Sequence, residues 1–149
     1  GEARRKLVFL GHLLSALEEG EEELEALVTS MNRGGKFGGK FRTSDTLTGA
    51  QLKSVMLALK NECRRRWKTK EELFGEVMSA LAHCSPTASR QAVMSALNTS
   101  VTPTLSELVY EDLLVALSAL RRLTGAVQVI PAVRAAPERV ASKADNRPF

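Results

Sequence analysis

The sequence predicts an all-α protein of about six helices, stacked as helical hairpins in a short α-solenoid or a helical bundle. Three observations lead there. Apolar residues recur three and four positions apart in six separate runs, and no segment reads credibly as part of a sheet. Aromatics make up only 5% of the 149 residues, so the core must come from Leu, Val, Ala and Met, a composition that favours helices. The third observation is internal repetition. A five-residue pattern returns as LLSAL at 13–17, VMLAL at 55–59, VMSAL at 77–81 and again at 93–97, and ALSAL at 116–120. Alternate copies from 57 and 79 onward, measured at their third residues, lie 38 and 39 positions apart, the length of a two-helix unit stacked on copies of itself. Ala and Ser within these runs let neighbouring helices approach closely, while the flanking Leu, Val and Met fill the gaps.

The first helix is expected over Ala3–Glu19, with Leu7, Leu10, Leu13, Leu14 and Leu17 on one face and Gly20 as its stop. Its opening, ARRKLVFLGHLLSAL, has the basic-then-apolar order of a signal peptide. His12 interrupts the apolar run, however, and EEGEEE stands where a small-residue cleavage site belongs, so the stretch reads as an amphipathic helix. A second helix follows at Glu21–Asn32, carrying Leu24, Leu27, Val28 and Met31. A third spans about Thr48–Trp67, with Leu52, Val55, Met56, Leu59 and Cys63 on one face. Leu57 lies opposite that stripe beside Lys53 and Lys60, as expected of a helix with neighbours on two sides. TKEE at Thr69–Glu72 is a capping box that opens a fourth helix bearing Leu73, Phe74, Val77, Met78 and Leu81. SPT at Ser85–Thr87 stops it and caps a fifth at Thr87–Asn98. TLSE at Thr104–Glu107 reads as a second capping box, opening a sixth helix to about Leu123. Leu59, Val77, Leu97 and Leu117 are expected in the core. Residues 1–124 thus form one helical domain, and 125–149, with Pro131, Pro137 and Pro148, a Pro/Ala-rich tail or docking arm.

The formal charge of +4 conceals a segregation. Residues 32–70 hold 11 of the 21 Lys and Arg against 2 acidic groups, whereas the segments before and after them are net acidic. A concentrated field of that sign attracts polyanions. Two clusters build it. RGGKFGGKFR, 33–42, interleaves Arg33, Lys36, Lys40 and Arg42 with Phe37 and Phe41 on a glycine-rich stretch. Cations there can follow a phosphate backbone while the rings offer stacking faces; the alternative is a flexible interhelical connection with both Phe tucked onto the core. KNECRRRWKTK, 60–70, brings Lys60, Arg64, Arg65, Arg66, Lys68 and Lys70 around Trp67, the only tryptophan. Lys53, Lys60 and Arg64 share one helical face, and the cations at the helix end are partly explained by the helix dipole. The cluster reads as a phosphate-contacting patch, with Trp67 either a packing anchor or a stacking platform.

Other chemistries find little footing. Gly34 and Gly39-Lys40 echo a phosphate-binding loop, but Phe41 stands where Ser or Thr must bind magnesium, and a helix precedes it where a strand is required. His12 and His83 stand on apolar runs without a recognisable nucleophile, and Cys63, His83 and Cys84 lack paired ligand spacing, so no catalytic residue, metal or cofactor is expected. A small-molecule substrate is not expected either. No apolar run approaches the roughly 18 residues of a membrane span, so membrane insertion is not expected. Two cysteines give no disulfide framework, which suits an intracellular protein, including a mitochondrial or other organellar one.

VYEDLLVALSALRRL (109–123) sets Tyr110 before an acidic pair and a Leu/Ala run, and LTGAQLKSVMLALK (47–60) and KEELFGEVMSALAH (70–83) share the same loose pattern. Over about 47–123 the chain resembles helical-hairpin-repeat RNA-binding proteins of organelles, namely the octotricopeptide and heptatricopeptide arrays and the related proteins that end in a RAP domain. That resemblance implies an α-solenoid working in RNA metabolism. The expectation is therefore a non-catalytic module that contacts RNA, single-stranded or structured, through 33–70, alongside other protein subunits of a ribonucleoprotein. The alternative is a scaffold domain in a multiprotein complex.

Overall fold

The computed structural model describes residues 2–33 and 49–125, and these are all-helical. Six α-helices run in order: α1 (Glu2–Ala16), α2 (Glu21–Arg33), α3 (Gly49–Arg66), α4 (Lys70–Leu81), α5 (Pro86–Ala96) and α6 (Tyr110–Leu123). A single 3-10 turn, Leu105–Glu107, stands between α5 and α6. The expected fold class is observed. Lys36, Phe37, Lys40, Phe41 and Arg42, and the tail beyond Gly125, lie outside the described residues.

The core is organised around α6. Every residue from Leu113 to Arg121 is buried, on all faces of the helix. A helix apolar in this way needs neighbours all round. α1, α4 and α5 all pack on it, and α3 packs on α1. The α5–α6 contact is that of a hairpin, while α1–α3 and α4–α6 join alternate helices. The α1–α6 contact joins the first helix to the last and closes the set into a bundle. Leu59, Val77 and Leu117 are fully or almost fully buried, as expected; Leu97 is only half-buried, packed against the edge of the core. Leu57 is 59% exposed, so the second neighbour expected on its face is absent among the described residues.

Two helix ends differ from the sequence reading. α1 stops at Ala16, ahead of Gly20. Glu18 takes the left-handed conformation (φ 57°), and the Glu18 and Glu19 amides close back onto Ser15 and Leu14 as a Schellman motif. Gly20 instead precedes α2, where the Glu23 carboxylate accepts its amide at 2.9 Å. α6 begins at Tyr110 and not after Thr104, whose side chain caps nothing. Leu105 is buried and Leu108 packs on the core, so burial draws this segment into a 3-10 turn before the chain can start an α-helix. By contrast, the Thr69 hydroxyl accepts the Glu72 amide at 3.1 Å, as the first capping box requires. Glu72 returns the bond one residue early, accepting the Lys68 amide at 3.0 Å. α5 begins at Pro86 with Ser85 as its cap, the Ser85 hydroxyl accepting the Ala88 amide at 3.3 Å.

Candidate nucleic-acid interface

The buried stripe of α3 is Leu52, Val55, Leu59 and Cys63. Beside it, at spacings of four, three and four, runs a second stripe: Lys53, Leu57, Lys60 and Arg64. Burial of the first stripe turns the second outward, and Lys53, Leu57 and Arg64 are exposed. α3 ends at Arg66; the turn into α4 adds exposed Lys68, and half-buried Lys70 opens α4. Lys53, Lys60, Arg64, Arg65, Arg66, Lys68 and Lys70 therefore lie along one helix, the turn after it and the start of the next. Arg33 is exposed at the end of α2.

These cations are not equivalent. Lys60 pairs with Glu111 at 3.1 Å and sits over the Phe9 ring, 5.4 Å from its centroid. Arg65 pairs with Glu62 one turn back on the same helix. Arg66, though exposed, reaches across to α1 and donates from Nη1 to the Leu17 carbonyl at 3.1 Å, satisfying an orphan acceptor at the end of α1. Arg64 lies over the Tyr110 ring, its guanidinium carbon 3.5 Å from the ring centroid. Lys53, Lys68 and Lys70 have no ion pair among the described residues.

Trp67 leaves the candidate set. It is 7% exposed and belongs to the core cluster, so its ring offers no free face for a base. Its carbonyl serves locally: the Tyr110 hydroxyl donates to it at 2.5 Å and lies 3.2 Å from the Cys63 carbonyl. Tyr110 thus fastens the start of α6 to the last turn of α3. Burial raises the pKa of its hydroxyl, against a smaller opposing effect of Arg64, which preserves the donor. Burial also pushes the Cys63 thiol up to about 12, so it packs as a small neutral side chain.

The structure adds polar contacts that sequence reasoning missed. His12 Nδ1 lies 2.8 Å from Ser118 Oγ, and Arg122 Nε donates to Ser15 Oγ at 2.9 Å. Ser15 and Ser118 are the serines of LLSAL and ALSAL, so two copies of the repeated pattern meet where α1 crosses α6. The pairs run in the same order along both helices, which therefore point the same way at the crossing. A His–Ser pair suggests a nucleophile, but Ser118 is completely buried and no substrate atom can reach its hydroxyl. Arg121 is held between Glu18 and Glu76. The repeated Ser-Ala-Leu was the available signal; which serines would meet was not in it.

Among the described residues no cluster of three His, Cys, Asp or Glu could hold a metal ion, and no helix is long and apolar enough to cross a membrane. No protein-family model matches the sequence, and no curated protein or solved structure is significantly similar to it.

Proposed function

We propose that this protein is a non-catalytic helical module that binds RNA through phosphate contacts of its basic segment, as part of a larger ribonucleoprotein. The observation that carries the reading is the exposed basic line along α3 and the α3–α4 turn, in a chain whose flanking segments are net acidic. Lys53, Lys68 and Lys70, which have no ion pair among the described residues, are the phosphate contacts of this reading. Lys60 and Arg65 contribute less, since each is already paired with a glutamate.

Each phosphate contact releases condensed counterions and adds a slope of about −0.7 in log K against log salt for a single strand. Replacing Lys53, Lys68 and Lys70 with Gln should therefore shallow the slope by about 2 and leave sequence preference unmoved. None of the three side chains has a packing role comparable to that of Arg66, so the fold is expected to persist. Wild-type affinity and slope in the triple variant, or no RNA bound by the wild type at low salt, would refute the proposal. A second reading has its own observation. Leu57, 59% exposed among Lys53, Lys60 and Arg64, suits an acidic amphipathic helix of a partner subunit, which makes the domain a scaffold. Absence of RNA binding at low salt favours that reading.

A further inference from the structure

We infer that Arg64, resting on Tyr110, is a stacking platform for a single nucleobase, so that the interface holds a base as well as phosphates. The inference rests on the RNA-binding reading and deepens it.

At 3.5 Å between the guanidinium carbon and the ring centroid, the two groups are in face-to-face contact; an edge-on approach would hold the carbon farther away. The ring beneath is itself fixed. Its hydroxyl donates to the Trp67 carbonyl, with the Cys63 carbonyl close by, the latter in the last turn of the helix that carries Arg64 and the former just after its end. The side chain is therefore laid flat and held before any ligand arrives, which reduces the ordering cost of binding. One face of the guanidinium rests on Tyr110, while Arg64 remains exposed and has no ion pair among the described residues.

A planar cation with one face covered and the other toward solvent is a surface on which a base can stack. Single-stranded RNA is commonly read by such stacking on aromatic rings or guanidinium planes. Lys53 and Lys60 continue along the same helical face, so a strand with one base on Arg64 has cations beside it for the adjoining phosphates. Trp67, the residue that composition singles out for stacking, is buried, and the role passes to a residue that sequence reads only as charge.

The experiment uses the whole chain, a short single-stranded oligoadenylate and the same backbone made abasic. Each RNA is titrated against the wild type, Arg64→Lys and Tyr110→Phe. Arg64→Lys keeps the charge and removes the plane; Tyr110→Phe keeps the ring under the guanidinium and removes the hydroxyl. The wild type should prefer the base-bearing RNA by about tenfold, a typical contribution of one stacked base. Arg64→Lys should lose that preference while keeping the wild-type salt slope, and Tyr110→Phe should largely retain it. Circular dichroism confirms that each variant remains helical. If wild type and Arg64→Lys show the same preference, or neither shows one, the stacking site is overturned while the phosphate reading stands. If Arg64→Lys weakens both RNAs equally, Arg64 acts without a base and the inference likewise falls. If the wild type binds neither RNA at low salt, the inference and the proposed function fall together.

Discussion

Burial holds the His12 imidazole neutral: it is 3% exposed, and its pKa is lowered from 6.5 to about 3 by desolvation first and by the nearby Arg122 charge second. In the unfolded chain the same ring takes up a proton near 6.5. Between those two values the unfolded state binds more protons, so stability must fall as the pH is lowered, on the order of 1 kcal/mol per pH unit. Glu19 works in the opposite sense. Burial raises its carboxyl pKa, with Arg66 pulling it partly back, so its contribution is lost as the pH rises through the raised value. A comparison therefore isolates the ring better than the wild-type curve alone. In denaturant melts between pH 7 and 5, stability should fall more with falling pH for the wild type than for His12→Asn, which keeps only the opposing Glu19 contribution. Parallel curves would mean that the ring is not held neutral.

α4 and α6 carry similar start signals in sequence and begin differently in structure. Thr69 makes the bond its motif promises, and Thr104 does not. The difference lies in the residues just C-terminal to each threonine. After Thr69 come Lys70, Glu71 and Glu72, exposed or half-buried and indifferent to a shift of phase, so local hydrogen bonding decides. After Thr104 comes Leu105, whose burial sets the course of the chain before a helical turn can form. Thr69→Ala should lower stability by about 1 kcal/mol, as loss of an N-cap usually does. Thr104→Ala should stay within about 0.5 kcal/mol of wild type. Equal losses in urea unfolding would show that Thr104 caps after all.

At the scale of the whole molecule, α6 is the shared neighbour of α1, α4 and α5, and its side chains serve three packing surfaces at once. Leu117 sits in that position at 0% exposure, while Leu97 lies half-buried at the rim, just after α5. Leu117→Ala should cost about 2–5 kcal/mol, because packed neighbours on every side cannot all relax into the cavity. Leu97→Ala should cost clearly less, since solvent already reaches the site. Thermal or denaturant unfolding of the two variants checks the order, and a Leu97 loss equal to that of Leu117 would contradict the central place of α6.

Apolar periodicity was enough for the six helices, because each amphipathic run must bury one face whatever it packs against. The buried stripe of α3, the Thr69 cap and the basic character of 60–70 were legible for the same reason: each is local, set by residues within a turn or two. The left-handed stop at Glu18 was not, because Glu has no intrinsic preference for that conformation and only the surrounding packing holds it there. Nor was the division of labour among the cations. Arg64, Arg65 and Arg66 are identical in sequence, yet one stacks on Tyr110, one pairs with Glu62 and one caps α1. Successive helical residues point about 100° apart, so three neighbouring arginines meet three different surroundings. Those surroundings include α1 and α6, which lie tens of residues away along the chain and come to α3 only through the fold.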